Sequence, residues 1–427
     1  MLVFHSILTA FGLLSFLFSL LAVFLLVEVV AAWISRLRQR GESLDPIVAH
    51  GSQPTRLAVI MPAHNEEAVI ERTVSKMLEQ LNQGDQLIVV ADNCTDRTAK
   101  FAFRAGAEVI IRDNPEQRGK GYALQYGVDH LASDPPEVMV IVDADCEIVQ
   151  GTLQSLAQAT AARQCPLQAA YIMPVPAQAT FRDRISAFAV MLKNVVRLQG
   201  LAAIGGPSLL TGTGMAFPWE LAQRTQWASG DIVEDMTIGI ELAKQGDFPR
   251  FYAPMTISAP LPSTKAAATT QRTRWEHGHL RNIRRFVPQL LISLVKRPSW
   301  SMLLLVFELV VPPLSLFAAS LLMLLFVAGV VGVIGASLVP LMLCTTAFVA
   351  FTLAIMGAWR MEGRNLLSLS DLARVPVYIL GKLPIYSAAV RKAETQWHRT
   401  DRSAGQVGKP APHLSKQQTL GSVDVID

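Results

Sequence analysis

The chain has 427 residues, enough for about two to three domains of ordinary size and a sizeable core. Charged residues make up 17% and apolar residues 51% of the sequence, against roughly 25% and about 50% in soluble globular proteins. This balance excludes disorder over most of the length, and a mean hydropathy of +0.33 indicates membrane segments. A net charge of +4 is too small to indicate nucleic-acid binding, and the four cysteines lack the spacing of a zinc module or a disulfide scaffold.

The first long apolar run covers residues 7–34, where Glu28 is the only charged residue. The run is longer than the roughly 20 residues that a helix needs to span a bilayer, so we predict a transmembrane helix. A cleaved signal peptide is the alternative, but no basic residue precedes the run and it exceeds the usual length of a signal core. Arg36, Arg38 and Arg40 follow it, and their positive charge places the next segment in the cytoplasm.

Four short apolar runs follow, at residues 57–61, 86–91, 108–111 and 138–142. They lack polar alternation, as do parallel strands that are covered on both faces. Helical spacing lies between them at residues 66–81, where Asn65 is the expected N-cap, and at residues 122–131. The order of strands and helices predicts an α/β fold with a doubly wound, mostly parallel, Rossmann-like sheet. Ligands of such sheets bind beyond the carboxyl ends of the strands.

Acidic residues follow three of the four predicted strands. They are Glu66 and Glu67 after the first strand, Asp92 and Asp96 after the second, and Asp143 and Asp145 after the fourth. Like charges that converge on one edge repel each other unless a cation joins them, and oxygen ligands favour Mg²⁺ or Mn²⁺. Asp143 and Asp145 are two residues apart, which in an extended chain directs both side chains to one face. A solvated turn is the alternative interpretation of this pair.

The tetrapeptide Arg118-Gly119-Lys120-Gly121 precedes the second predicted helix. Two glycines let a backbone approach a ligand closely, and two cations near a helix N-terminus suit a phosphate. A solvated basic turn is the alternative. No Walker motif and no Gly-x-Gly-x-x-Gly fingerprint is present, which excludes P-loop and standard dinucleotide sites.

Two later segments, at residues 181–198 and 277–296, mix apolar side chains with cations and suit interfacial helices. A core helix with a solvated face is the alternative, equally favoured for the first segment and less favoured for the second, which adjoins a predicted membrane span. His277 and His279 in the second segment lack an evident third ligand, so no metal site is predicted there.

The second long apolar block, residues 301–359, contains two predicted transmembrane helices, 302–334 and 338–359, and the first is expected to bend at Pro312 and Pro313. Basic residues on both flanks place both ends of the block in the cytoplasm.

The segments together predict a division of the chain into six parts. They are an N-terminal transmembrane helix (1–40), a cytoplasmic α/β domain (50–280), an interfacial helix (281–300), two transmembrane helices (301–360), an amphipathic membrane-surface segment (361–400) and a disordered tail (401–427).

The ordered motifs resemble those of the family 2 glycosyltransferases, which have the GT-A fold and use nucleotide sugars. The matching residues are Met61-Pro62-Ala63-His64-Asn65-Glu66, Asp92, Arg118-Gly119-Lys120-Gly121, Asp143-Ala144-Asp145, Val233-Glu234-Asp235 and Gln271-Arg272-Thr273-Arg274-Trp275. The last, Gln-x-x-Arg-Trp, resembles the membrane-embedded branch that includes cellulose, hyaluronan and poly-N-acetylglucosamine synthases.

The resemblance implies a role for each matching residue. Asp235, next to Glu234, is the expected general base of the catalytic pair, and Asp143 and Asp145 hold the diphosphate and a divalent metal. The donor-binding residues are Pro62, Glu66, Asp92, Arg118, Lys120, Asp143, Asp145 and Arg274. The acceptor-binding residues are Gly212, Thr213 and Gly214, in a turn similar to that of the synthases, with Gln271 and Trp275. Mg²⁺ or Mn²⁺ is the expected cofactor.

The leading hypothesis is a multi-pass inner-membrane enzyme that extends a polysaccharide from a nucleotide diphosphate sugar, such as a UDP-sugar. Single-sugar transfer to a lipid or lipid-linked acceptor is the alternative, because about three spans leave little material for a polymer channel without a homo-oligomer or an export partner. A hypothesis of another class is a non-catalytic subunit of a glycan export complex. It is disfavoured because every acidic motif is present.

Overall fold

The computed structural model describes residues 2–39, 55–262 and 264–380. The strands are β1 (Leu57–Ala63), β2 (Gln86–Asp92), β3 (Glu108–Arg112), β4 (Val138–Ile141), β5 (Glu147–Ile148), β6 (Leu167–Ile172), β7 (Met215–Pro218) and β8 (Arg250–Ser258). The helices are α1 (Leu2–Gln39), α2 (Ile70–Leu78), α3 (Thr98–Arg104), α4 (Lys120–Leu131), α5 (Leu153–Arg163), α6 (Phe181–Met191), α7 (Leu198–Ala203), α8 (Trp219–Arg224), α9 (Glu234–Gln245), α10 (Lys265–Lys296), α11 (Trp300–Val310), α12 (Leu314–Val333), α13 (Val339–Ala358) and α14 (Leu369–Leu380). Two π-helical turns occur, Leu192–Arg197 between α6 and α7, and Trp359–Gly363 after α13.

The strands form one eight-stranded sheet in the order β3-β2-β1-β4-β7-β6-β8-β5. The four predicted strands are confirmed as β1 to β4, and they pair in parallel. Strand β7 runs antiparallel to β4 and to β6, whereas β6 pairs in parallel with β8, so the sheet is mixed and the predicted mostly parallel α/β sheet is confirmed. Because β6 reverses β7 as β4 does, β4 and β6 run in the same direction and end at the same edge.

The sheet is buried on both faces, which explains the unbroken apolar runs of β1, β2 and β4. Alternate residues of β1, such as Val59 and Ile60, belong to two different apolar clusters on opposite faces. Strand β3 differs because it lies at the edge of the sheet, and most of its side chains are partly or fully exposed.

The predicted N-cap at Asn65 is wrong. Helix α2 begins at Ile70, and Asn65 lies before it in the left-handed region at φ 55°. Its side-chain oxygen accepts a hydrogen bond from the backbone amide of Thr95 (2.7 Å) instead. Asn65 therefore ties the loop after β1 to the loop after β2, and both loops border the same edge of the sheet.

Four helical segments of the described residues are long and apolar enough to cross a membrane. They are His5–Arg38, Phe181–Ala203, Leu314–Val333 and Val339–Gly363. The expected single helix over residues 302–334 is two helices, because Pro312 and Pro313 separate α11 from α12 rather than bend one helix. At 11 residues α11 is too short to span a bilayer.

The segment 181–198, predicted to be interfacial, lies mostly inside the protein, where α6, the π-helical turn and α7 pack against α1 and the sheet. Arg197 in the π-helical turn forms a buried ion pair with Glu28 of α1 (2.8 Å) and a second with Glu308 of α11. A single buried arginine thus joins three helices. Arg197, one of the cations that suggested a membrane surface, thus belongs to an internal network of ion pairs.

Helix α10 is continuous over 32 residues, so the predicted boundary at residue 280 lies inside a helix. Its N-terminal half carries the Gln-x-x-Arg-Trp motif, and its C-terminal half holds the predicted interfacial segment. Leu291, Ile292 and Val295 there are exposed, as is expected of an interfacial helix. The predicted segment 361–400 is described only to residue 380, and the predicted disordered tail lies outside the described residues.

Candidate active site

One cavity opens at the carboxyl edge of the sheet, and the sequence motifs meet in it. The predicted site residues that line it are Pro62, Glu66, Asp92, Arg118, Lys120, Asp143, Asp145, Gly212, Thr213, Glu234, Asp235, Gln271, Arg274 and Trp275. Gly214 is the exception. A Cβ atom on Gly214 would lie 2.9 Å from the Ile257 side chain and 3.1 Å from that of Ala169, so this glycine allows close packing behind the cavity rather than facing it.

Asp92 ends β2 and is held by a partner that the sequence did not indicate. Arg112, at the end of the neighbouring strand β3, forms a buried ion pair with it (2.6 Å). Asn93 donates a second hydrogen bond to the same carboxylate oxygen (3.0 Å). The Arg112 guanidinium also lies over the Tyr122 ring, 5.4 Å from its centre. These contacts fix the Asp92 carboxylate at the cavity wall.

Asp143 and Asp145 follow β4, but not in extended chain. A turn closes behind them, with the Cys146 amide donating to the Asp143 carbonyl (3.0 Å), so the expected alternation along a strand is not what brings the carboxylates together. The turn still places ligand atoms of Asp143, Asp145 and Cys146 within 4.8 Å of one another. Burial raises the pKa of the Cys146 thiol, and Mg²⁺ and Mn²⁺ prefer oxygen ligands to sulfur. The two carboxylates form a donor set that fits Mg²⁺ or Mn²⁺.

Lys120 begins α4 and bridges two parts of the site. Its ammonium group forms an ion pair with Asp143 and donates to the Gly212 carbonyl (2.6 Å). Burial lowers the pKa of Lys120, but the surrounding carboxylates, Asp143 first among them, raise it by more, so the lysine stays charged. Arg118 is exposed and donates to the Pro115 carbonyl (3.0 Å).

Gly121 does not serve the close ligand approach that the sequence suggested. A Cβ atom there would meet the Trp227 carbonyl at 2.5 Å and the Ser229 carbonyl at 2.8 Å. Gly121 therefore allows α4 to pack closely against the loop that leads to Glu234 and Asp235.

Glu234 and Asp235 are the first two residues of α9, where the helix dipole favours negative charge. Burial raises the pKa of Glu234 to about 7, and the nearby Asp235 carboxylate adds to this. Burial also raises the pKa of Asp235, against the opposing effects of the Met236 amide, which donates to it (2.8 Å), and of Lys120. The cavity thus holds carboxylates that accept protons more readily than an exposed pair would.

Asp231 anchors the loop before this pair. Its carboxylate accepts from the Val233 amide (3.3 Å) and the Thr237 hydroxyl (3.0 Å). It also forms ion pairs with Arg281 and with Arg285 (3.8 Å) on α10. The helix that bears the Gln-x-x-Arg-Trp motif is thereby locked to the helix that bears the acidic pair.

Gln271, Arg274 and Trp275 reach the cavity from α10. Gln271 is 4% exposed, and the buried Nε of Arg274 makes no hydrogen bond to any described residue. One helical turn further on, His279 faces away from any ligand set. Its Nε2 bonds to the Leu309 carbonyl (2.9 Å), and burial lowers its pKa to about 3, which fits a neutral core histidine rather than a metal ligand.

Several cavity residues were not predicted, among them His64, Tyr171 and Thr211. His64 and Thr211 are close in the sequence to predicted site residues, so their position in the chain could have identified them. Tyr171 and the anchors Arg112 and Asp231 carry no local motif, and only the sheet order and the helix packing bring them to the site.

Two family profiles match the part of the chain that contains the cavity residues. The profile described as Glycosyl transferase family 2 matches residues 58–167, and the one described as Glycosyl transferase family group 2 matches residues 138–361. The second match covers more than half of the chain. The chain belongs to glycosyl transferase family group 2. The family match and the mixed sheet confirm the predicted fold class, an α/β GT-A domain with flanking apolar helices.

Individual relatives of this glycosyl transferase chain cover it in part. It is 33% identical over 119 residues to a 4,4'-diaponeurosporenoate glycosyltransferase of Staphylococcus haemolyticus, which is 27% of this chain and 31% of the relative. It is 25% identical over 253 residues to the probable glycosyltransferase YdaM of Bacillus subtilis, 55% of this chain and 57% of the relative. Thus the chain spans about a third of the first relative and about half of the second.

Among solved structures, a mannosyltransferase from Pyrobaculum calidifontis in complex with GDP-Man and Mn²⁺ matches 87% of this chain and 95% of its own, with 16% identity and a TM-score of 0.45. The glucosyl-3-phosphoglycerate synthase of Mycobacterium tuberculosis, in complex with Mg²⁺ and uridine-diphosphate, matches 52% of this chain and 79% of its own, with 19% identity and a TM-score of 0.33.

Gly212 offers a first test of the cavity in this family member. Its backbone has φ +90°, and a Cβ atom would lie 3.2 Å from Asp235 Oδ2 and 3.6 Å from Lys120 Nζ. Gly212→Ala is therefore expected to displace the Asp235 carboxylate and lower the transfer rate by about tenfold or more. The matched control is Gly84→Ala, because Gly84 has φ +95° and nothing within 4 Å of such an atom. Both variants bear backbone strain, so equal activity in the two would contradict a role for the Gly212 contact.

Proposed function

We propose that this protein is a membrane-embedded, inverting glycosyltransferase that moves a sugar from a nucleotide diphosphate sugar to a growing polysaccharide. The observation that carries the proposal is the convergence, in one cavity, of the buried acidic pair of α9 with the carboxylates that follow β4. The first supplies a base and the second a site for a diphosphate-bound cation. A non-catalytic subunit would not need both.

Asp235 is the proposed general base. Its carboxylate takes the proton of an acceptor hydroxyl as that oxygen forms a bond to the anomeric carbon of the sugar. The bond from the anomeric carbon to the phosphate oxygen breaks at the same time, and the electron pair leaves with the nucleoside diphosphate. Attack from the face opposite the leaving group inverts the configuration at the anomeric carbon. Glu234, with a pKa raised to about 7, is the second member of the proposed catalytic pair.

Asp143 and Asp145 are the proposed ligands of Mg²⁺ or Mn²⁺. When bound, the metal neutralises the negative charge that builds up on the departing diphosphate. Lys120 and Arg274 line the same cavity and are proposed to share that task. Bidentate geometry makes an arginine such as Arg274 well suited to a phosphate.

The rest of the donor is proposed to lie along the wall formed by the loops after β1 and β2. Pro62, Glu66 and Asp92 line this part of the cavity, and Asp92 is the proposed contact to the nucleotide base. Because Arg112 and Asn93 hold the Asp92 carboxylate from behind, the base meets a fixed hydrogen-bond acceptor. Arg118, at the mouth, is the proposed outer contact to the phosphates.

The acceptor is proposed to enter between the turn Thr211–Thr213 and the α10 residues Gln271 and Trp275. Resemblance of the Gln-x-x-Arg-Trp motif to that of polymerising synthases supports a polysaccharide acceptor. Transfer of one sugar to a lipid or lipid-linked acceptor is the second candidate. It is favoured by the small number of apolar helices, since one of the four candidate spans is 67% buried within the protein.

We further propose an inner-membrane location with the α/β domain in the cytoplasm. The basic residues Arg36 and Arg38 in the last turn of α1 support this orientation. Polymer export with so few spans would need a homo-oligomer or an export partner.

The proposal is tested with the full chain in detergent or in lipid nanodiscs. We expect release of nucleoside diphosphate from one of a set of UDP- and GDP-sugars, dependent on Mg²⁺ or Mn²⁺ and on an added acceptor. Products longer than one added sugar support the polysaccharide acceptor, and a single added sugar on a lipid supports the alternative. No release with any donor, acceptor or metal would contradict a catalytic function.

A further inference from the structure

Tyr171 is the buried polar side chain of the cavity that the proposed mechanism leaves unused. It is the last but one residue of β6, which ends at the same edge of the sheet as β4. Tyr171 lines the cavity and is 6% exposed. No described residue makes a hydrogen bond to its hydroxyl group. A hydroxyl that lines the cavity and makes no hydrogen bond to the described residues can bond to a group that enters the cavity.

The surroundings of Tyr171 indicate the chemistry of that group. Asp143, Cys146 and Arg274 all lie close enough to interact electrostatically with the phenol. A tyrosine hydroxyl is a hydrogen-bond donor at neutral pH, and this one lies near both a carboxylate and a guanidinium.

We propose that the Tyr171 hydroxyl donates a hydrogen bond to the diphosphate of the nucleotide sugar, between the carboxylates that follow β4 and Arg274. This inference rests on the proposed function and adds a binding residue to it. A phosphate oxygen is an acceptor that carries charge, and charge-assisted hydrogen bonds are about twice as strong as neutral ones.

The backbone supports this role because it holds the phenol in place. Tyr171 lies within the β6–β8 ladder, opposite Ile257, and its ring is part of the apolar cluster on that face of the sheet. A donor fixed in this way needs no rearrangement when charge develops on the leaving group.

The test is binding of UDP, GDP and their nucleotide sugars to the full chain in the presence of Mg²⁺, with uridine and guanosine as probes that lack the diphosphate. Tyr171→Phe removes only the hydroxyl oxygen, so the ring still fills its place in the core. We expect the Kd of the preferred nucleoside diphosphate to rise about five- to tenfold and the Kd of its nucleoside to stay unchanged. Tyr126→Phe is the matched control, because Tyr126 is 42% exposed and lies outside the cavity.

Three outcomes would overturn the proposal. Unchanged diphosphate binding in Tyr171→Phe would show that the hydroxyl does not contact the phosphates. Equal weakening of nucleoside and nucleoside diphosphate would assign the effect to the nucleoside or to the fold. Weaker binding of the nucleotide sugar alone would place the hydroxyl on the sugar. If the wild-type chain bound neither UDP nor GDP, the proposed function itself would fail, and this inference with it.

Discussion

Replacing Asp235 by Asn is expected to lower the transfer rate by about 10²- to 10⁴-fold, because the amide cannot take the proton of the acceptor hydroxyl. The side chain keeps its shape and an oxygen that can accept from the Met236 amide, a bond of 2.8 Å in the wild type. The fold and donor binding should therefore be retained. The measurement is the release of nucleoside diphosphate by the full chain with donor, acceptor and metal at saturation.

Glu241→Gln is the matched control for this variant, since Glu241 lies on the same helix, away from the cavity, and pairs with Lys244 (2.8 Å). It removes the same charge from α9 without removing a proposed catalytic group. If Asp235→Asn turned over as fast as Glu241→Gln, Asp235 would not be the base.

The pH dependence of the wild-type enzyme gives an independent check. A general base works only when deprotonated, so the rate should fall as the pH drops through its pKa. Burial raises the pKa of Asp235, which places this fall above the range of an ordinary aspartate, about pH 3.9. Glu234, with a pKa of about 7, adds a second titration near neutrality. A rate that stayed flat down to pH 4 would contradict this electrostatic description.

The sequence predicted the N-terminal part of the sheet, strands β1 to β4, because there the apolar pattern of each strand is combined with a helix that requires parallel pairing. Strands β1 to β4 are short apolar runs with turns at their ends, and parallel pairing follows from the helices between them. The antiparallel strand β7 has the same apolar character, so pattern alone does not reveal its direction. The direction of β7 depends on its pairing with strands that are distant in the sequence, and a short stretch of sequence carries no information about that pairing.

The site was predicted best where a residue type has one main use. Carboxylates at strand ends, such as Asp143 and Asp145, are costly to place together unless they bind something, so their position was informative. Glycines were less informative, because Gly121 and Gly214 serve close packing while Gly212 lies against Asp235. The cations of residues 181–198 led to the wrong prediction of an interfacial helix, because they too have more than one common use. A charged residue on an apolar helix can lie at a membrane surface or in a buried ion pair. Arg197 forms a buried ion pair.

Replacing Asp145 by Asn tests the proposed metal site and is the other change with a large expected effect. Asp143 already shares its charge with Lys120, whereas Asp145 lies deeper in the cavity, at 7% exposure. We therefore expect loss of Asp145 to weaken Mn²⁺ binding by at least about 100-fold and to slow transfer by a similar factor.

Binding of Mn²⁺ can be followed from the electron paramagnetic resonance of the free ion, without any need for turnover. Asp129→Asn on α4 is the control, since it removes one exposed carboxylate that bonds only to Gln125 (2.9 Å) among the contacts described. Unchanged Mn²⁺ binding in Asp145→Asn would exclude this carboxylate as a ligand. Activity lost with Mn²⁺ binding intact would instead assign Asp145 to binding of the donor rather than of the metal.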